Sequence, residues 1–237
     1  MDRSFRYRLT ESRVAIGPET FDLETIADLD AEVDRLCASI ADNVDPAIEA
    51  EALDLAPYFG VLWPSARALG EWLLERRAEI AGASVLEVGC GLGLPALAAA
   101  RAGARVLASD FHPHVPELLR RNALRNRVTC EYRHADWRDE GLFLGEFDHV
   151  VGSDVFYDKE HVGALTPRLA RHMAPGGRIV LADPGRAWFL RAVEELVRLG
   201  FEAHEERRAL TPSATDDAIR SPERREIRIV TFRRGSG

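Results

Sequence analysis

The stretch VLEVGCGLGLP, residues 85–95, places three glycines between a run of strand type and a helix start. Gly89, Gly91 and Gly93 let backbone approach a ligand closely, and a helix N-terminus adds free N–H groups. A dinucleotide fingerprint reads G-x-G-x-x-G, which would need glycine at position 94, where Leu94 stands. The spacing is instead G-x-G-x-G, two residues after Glu87. A carboxylate there repels a pyrophosphate, so the loop suits a ligand that carries a positive group. Asp110 closes the next apolar run, RVLASD, about 20 residues on, where an acid accepts hydrogen bonds from ribose hydroxyls. Asp136 and Trp137, in HADWRDEG, stand where an adenine amino group and ring can be read. A further run, FDHVVGSD, ends on Ser153 and Asp154, with Tyr157 three residues later; LADPGR then brings Asp183 and Arg186. Each has a plainer reading. Asp154 can cap a helix starting near 158, Tyr157 and Trp63 can pack, and DPGR can be a turn after a strand.

Such residues act together only if the fold gathers strand ends. SVLEVG, RVLASD, VTCEY, FDHVVGSD and RIVLAD read as strands. LPALAAARAG, HPHVPELLRRNALRN, residues 159–173 and RAWFLRAVEELVRLG read as the helices between and after them. This alternation predicts an α/β fold, a doubly wound and mostly parallel sheet, which binds ligands at the carboxyl ends of its strands. FEAHEERR and EIRIVTF, joined by the polar ALTPSATDDAIRSPER, add an antiparallel strand. Residues 1–56 read as an acidic helical extension and 57–237 as the sheet domain. In the extension Ile26, Leu29, Val33, Leu36 and Ile40 recur at helical spacing, with Asp22 or Thr25 as the cap and Pro46 as the end. APYFGVLWPSA leads into a second amphipathic helix, ARALGEWLLERRAEIAG.

Composition narrows the classes. The chain has 237 residues, 46% hydrophobic and 30% charged, enough for a full core. Its net charge of −8 argues against nonspecific binding to nucleic acid or to anionic membrane. No apolar run approaches a membrane span of roughly 20 residues, and the start, MDRSFRYRLTESR, lacks a signal-peptide core. The expectation is a cytoplasmic monomer. Cys37, Cys90 and Cys130 are an odd number without CxxC, and there is no HExxH, so neither a disulfide framework nor a metal site is expected. His112 and His114 read as loop or helix-start residues. Lys159 is the one lysine, which fits genomic base composition.

EVGCGLG, ASD and ADW, in this order and spacing, resemble the cofactor motifs of class I S-adenosylmethionine-dependent methyltransferases, over roughly residues 57–232. FGVLWPSARALGEWL resembles the W-P-x-[SA] segment, and SDVFY the D-x-x-Y motif, of the seven-β-strand protein-lysine methyltransferases. LADPGR is similar to a stretch in the branch acting on the electron-transfer flavoprotein β subunit, whose bacterial members also act on ribosomal proteins. The resemblance implies a seven-stranded sheet and S-adenosyl-L-methionine held by Trp63, Glu87, Gly89, Gly91, Gly93, Asp110, Asp136, Trp137 and Ser153. It also implies Asp154 and Tyr157 as catalytic residues, Asp183 and Arg186 on the substrate side, and a protein lysine as acceptor. Two alternatives stay open: a small-molecule acceptor on the same fold, and a catalytically silent cofactor-binding interaction protein. D/N-P-P-[YF] is absent after the fourth strand, which argues against a nucleic-acid acceptor.

Overall fold

Most apolar runs of the central region end where a polar or glycine-rich turn begins, and these form buried strands that hand over to a helix; β5 is the exception, largely exposed and followed by β6 with no helix between. The computed structural model describes residues 5–40, 54–209 and 226–235. Two strands come first: β1 (Leu9–Ile16) and β2 (Glu19–Ile26), then helix α1 (Leu29–Ile40). A 3-10 turn over Pro57–Gly60 leads to α2 (Pro64–Glu75) and the short α3 (Arg77–Ile80). The alternating region follows: β3 (Ser84–Val88), α4 (Leu94–Arg101), β4 (Arg105–Asp110), α5 (Val115–Arg125) and β5 (Glu131–His134). After it come β6 (Phe147–Ser153), α6 (Lys159–His172), β7 (Met173–Asp183), α7 (Ala187–Arg198), β8 (Phe201–Ala209) and β9 (Glu226–Arg234).

β3 to β9 form one seven-stranded sheet in the order β5-β4-β3-β6-β7-β9-β8. All pairings are parallel except those of β9, which runs antiparallel to β7 and to β8. The register brings Val88 beside Gly152, Asp110 beside His134, and Ser153 beside Ala182. The carboxyl ends of β3, β4, β6 and β7 therefore open onto one edge. Trp72, Leu73, Leu97 and Leu118 fill the core on one face of the sheet; Phe156, Leu169, Phe189 and Leu196 fill it on the other. No helix among the described residues is long and apolar enough to cross a membrane.

The N-terminal region departs from the helical extension expected for residues 1–56. It contains the expected helix, but a hairpin precedes it, β1 pairing antiparallel with β2. Ile26, read as the first residue of a helical stripe, ends β2, and the stripe begins at Leu29 with Val33, Leu36 and Ile40 half-buried behind it. The cap is Asp28, whose Oδ1 accepts from Ala31 N at 3.0 Å, rather than Asp22 or Thr25. Val14, Ile16, Phe21 and Leu23 point inward, and their burial decides for the hairpin. The strand expected over VTCEY begins only at Glu131. Pro46 and nearly all of the polar loop between β8 and β9 lie outside the described residues.

Candidate active site

The glycine loop follows from where β3 must stop. Gly89, Gly91 and Gly93 all have positive φ, 61°, 48° and 82°, a region that favours glycine. At Gly91 a Cβ would also stand 3.0 Å from the Phe59 carbonyl oxygen, and at Gly93 it would meet the Leu119 side chain at 2.2 Å. Asp110, at the end of β4, ties the loop down: Oδ2 accepts from Gly91 N at 3.0 Å and Oδ1 from His112 N at 2.9 Å. Burial raises its pKa, against the pull of those N–H groups.

A cavity of about 410 Å³ opens above this loop, a size typical of small-molecule sites. Of the residues singled out from sequence, Trp63, Gly89, Gly91, Gly93, Asp110, Asp136, Trp137, Ser153, Asp154, Tyr157 and Arg186 line it. Glu87 and Asp183 do not. Glu87 lies beneath the loop, where Oε2 accepts from Ala96 N at 2.8 Å and holds the first turn of α4. Burial pushes its carboxyl well above the usual range. Asp183 is buried at the end of β7, where Oδ1 accepts from Gly185 N and Arg186 N, both at 2.7 Å. It shapes the DPGR turn instead of facing a substrate. The guanidinium of Arg186 is likewise engaged inside the protein, by Asp154 and Asp183.

Asp154 sits in the left-handed region at φ 57°, unusual for a residue with a side chain. Its N–H donates to Ala182 O on β7 at 3.0 Å, which holds the turn. The capping role at α6 belongs to Asp158, whose Oδ1 accepts from His161 N at 2.9 Å. Asp154 is thereby left for the cavity wall. Its Oδ1 receives Arg186 Nη1 at 2.5 Å, while Oδ2 is buried and has no hydrogen-bond partner among the described residues. Burial raises the Asp154 pKa, and Arg186 partly offsets it. Ser65 also lowers that pKa as a hydrogen-bonding neighbour of the carboxylate, although its hydroxyl lies outside ordinary hydrogen-bond geometry.

Aromatic and polar walls complete the cavity. Trp63 precedes α2 and donates from Nε1 to Tyr58 O at 3.0 Å. Tyr58 and Tyr157 both stand more than half exposed on the cavity, and Tyr157 meets the His161 ring edge-on at 4.4 Å. Although the side chain as a whole is exposed, desolvation around its hydroxyl, then Asp158, pushes the Tyr157 phenol up, so it stays neutral. Asp136 is held by Arg138, which also reaches Asp54 Oδ2 at 2.6 Å. Trp137 packs edge-on against His172 at 5.7 Å. Sequence reasoning missed Asp54, Tyr58, Phe59, His112, Val155 and His161, all of which line the cavity. The aromatics of APYF next to Trp63 were the available signal for part of that wall. Among the described residues no group of three or more His, Cys, Asp or Glu is placed to hold a metal ion.

Four carboxylates (Asp54, Asp110, Asp136, Asp154) face two guanidiniums (Arg138, Arg186) around an otherwise largely apolar cavity. That balance fits a ligand with hydroxyls and a positive group. A glycine loop on a parallel sheet, an acid ending the second strand and this cavity define a nucleoside-type cofactor site at the carboxyl edge. Residues 85–177 match the model of the methyltransferase domain family. The chain is 34% identical over 169 residues to the electron transfer flavoprotein β subunit lysine methyltransferase of Xenopus laevis, covering 66% of this chain and 67% of that protein. It is 34% identical over 107 residues to the human histone-arginine methyltransferase METTL23, covering 42% of this chain and 55% of that protein. The chain thus spans between about half and two thirds of these relatives' lengths. In fold it is similar to the Thermus thermophilus 16S rRNA N2 G1207 methyltransferase solved with S-adenosylmethionine and guanosine. The TM-score is 0.62 at 17% identity, over 96% of this chain and 51% of that one. The chain belongs to the class I S-adenosylmethionine-dependent methyltransferases, enzymes that transfer a methyl group from that cofactor. Within them it is similar to the electron transfer flavoprotein β subunit lysine methyltransferases.

Proposed function

We propose that the acceptor is the side-chain amine of a lysine on a folded protein. One observation carries the reading: Asp154, just past the end of β6, lines the cavity together with Trp63 and Tyr157. A carboxylate on that wall offers an acceptor for the N–H of an incoming amine. Tyr58, Trp63 and Tyr157 give the amine an aromatic approach that suits an unbranched alkyl chain. The similarity to a lysine methyltransferase supports the same acceptor, and the electron transfer flavoprotein β subunit is the first protein to test.

Gly89, Gly91 and Gly93 present backbone to the cofactor, Asp110 accepts from its ribose hydroxyls, and Asp136, Trp137 and Ser153 line the rest of its site. Glu87 acts from below by fixing α4. When bound, S-adenosylmethionine supplies a methyl carbon made electrophilic by the sulfonium. The Asp154 carboxylate accepts an N–H from the acceptor and turns the nitrogen lone pair toward that carbon, so that the reactants meet aligned. Tyr157, as a neutral phenol, walls the approach. We place the reaction in the cytoplasm; the free thiols of Cys37, Cys90 and Cys130 suit a reducing compartment.

The test is reaction of the enzyme with methyl-labelled cofactor and lysate, followed by mass spectrometry of the protein fraction. Increments of one CH₂ on lysine are expected, and Asp154→Asn should lower their rate at least about tenfold, ~1.4 kcal/mol. Label confined to small molecules, or found on arginine or carboxyl groups, overturns the reading.

A further inference from the structure

A carboxylate that receives a lysine amine also favours its protonated form, because an opposite charge at hydrogen-bond range raises an amine's pKa. Methyl transfer needs the lone pair free. The groups around Asp154 bear directly on this conflict. Arg186 Nη1 lies 2.5 Å from Asp154 Oδ1 and 2.7 Å from Asp183 Oδ2, bridging the two acids. Asp183, 1% exposed, fixes the bridge through its bonds to Gly185 N and Arg186 N. Gly185 makes the turn at φ 94°, where a Cβ would stand 3.2 Å from Arg228 Nε. With both acids ionised the three side chains carry one net negative charge; without Arg186 they would carry two.

The other charged and titratable groups nearby leave that balance to Arg186. Arg228 on β9 is paired with Glu205 on β8. On α6, His161 faces its own cap Asp158 at 3.5 Å. Tyr157 is neutral, Asp110 is bound to the glycine loop, Arg138 is held by Asp136 and Asp54, and α2 contributes the uncharged Ser65.

We propose that Arg186 is a positioning residue for methyl transfer: it holds the Asp154 carboxyl in place and removes one unit of negative charge from the wall the amine meets. Asp154 then orients the nitrogen without keeping it protonated. The proposal rests on the lysine reading above.

The experiment follows initial rates of label transfer to lysine in lysate protein, from neutral pH to about pH 11, across the ordinary lysine pKa of about 10.4, which an apolar approach lowers. Arg186→Gln should move the midpoint of the rate profile up by about one pH unit or more, a tenfold change in neutral amine at a given pH, with the rate partly recovered at high pH. Arg186→Lys keeps the charge but loses the planar guanidinium and the reach that set Nη1 between the two acids, so it should lower the rate with the midpoint in place. Asp183→Asn removes a negative charge and should move the midpoint down. Cofactor affinity, read by calorimetry, should change less than about threefold in all three, under ~0.7 kcal/mol. Lysine labelling with an unshifted midpoint in Arg186→Gln, or the same shift in Arg186→Lys, overturns the proposal and leaves the lysine reading standing. If Arg186→Gln does not fold, the opposite displacement expected of Asp183→Asn decides, and an unmoved midpoint there overturns the proposal. A wild type that puts no label on lysine overturns both.

Discussion

Asp110 has two tasks, and one substitution separates its consequences. Its oxygens accept from Gly91 N and His112 N, and the same carboxylate lines the cavity. Asp110→Ala therefore frees the loop and removes a ribose acceptor at once. Calorimetry with S-adenosylmethionine should show affinity down at least about tenfold, ~1.4 kcal/mol; unchanged affinity would mean that the loop binds through backbone alone. Asp110 and Asp154 were legible in the sequence because both end apolar strands, and strand ends in such sheets face one edge. Glu87 was legible as important but not as placed. It stands in the last turn of backbone before the loop, and its carboxylate is spent on Ala96 N of the following helix. Asp183 fails as a substrate contact for the same reason: a short acid at a strand end can fold back on its own turn, and the types of the residues do not say which it will do. Asp158 settles the ambiguity over Asp154, since a helix start needs one cap and Asp158 supplies it.

The hairpin β1–β2 is bound to the glycine loop through α5. Asn122 is fully buried there; its Oδ1 accepts from Glu24 N at 2.7 Å, and its Nδ2 donates to Leu92 O at 3.1 Å and Glu24 O at 3.3 Å. One turn further along, at the C-cap of α5, Asn126 holds the hairpin through Asp22 N and Asp22 O and donates to Asn122 O, without a side-chain bond to the glycine loop. Around them Glu24 is paired with Arg121 and Arg125. Asn122→Ala leaves buried groups on both the hairpin and the loop unpaired, at about 1–3 kcal/mol each. It should lower stability in urea by roughly 2–4 kcal/mol and weaken cofactor binding. Asn126→Ala should lower stability with cofactor affinity kept. Equal losses of affinity in the two variants would show that Leu92 O is not the link. This hairpin escaped the sequence reading because Ile26 continues the helical spacing of Leu29, Val33 and Leu36 across a strand-to-helix junction. Alternation on either side of Gly17-Pro18, with Val14 and Ile16 before it and Phe21 and Leu23 after, carried the strand signal. The parallel sheet was easier to read, since most of its crossovers carry a helix and so repeat the pattern, the connection from β5 to β6 excepted.

Across the whole molecule, the alternation of strands and helices told the class, whereas the order β5-β4-β3-β6-β7-β9-β8 depended on contacts far apart in sequence. The pieces that sequence could not join are partly held by buried neutral histidines. His112 Nε2 meets Leu55 O at 3.2 Å while Nδ1 accepts from His114 N at 3.2 Å, which ties residue 55 to the start of α5. His172 Nδ1 meets Arg168 O at 2.7 Å while Nε2 accepts from Leu144 N at 3.0 Å, which ties the loop after Trp137 to α6. In each ring one nitrogen donates and the other accepts, so a second proton would set N–H against N–H. Burial accordingly lowers both pKa values, that of His112 from 6.5 to about 4. The sign follows from the proton count. Between those two values the unfolded chain binds the proton and the folded chain does not, so acidification favours unfolding. His112 thus withdraws stability as pH falls from about 6.5 to about 4, on the order of 3 kcal/mol in all, and no more below that. Buried acids with raised pKa values, Glu87 and Asp154 among them, act in the opposite sense. The expectation is therefore set on a difference. His112→Asn keeps an acceptor for His114 N and cannot titrate, so it should be less stable than wild type at pH 7, with the gap closing or reversing near pH 4. Urea unfolding at a series of pH values measures that gap directly. Two parallel stability curves would mean that His112 takes up its proton in the folded protein without cost.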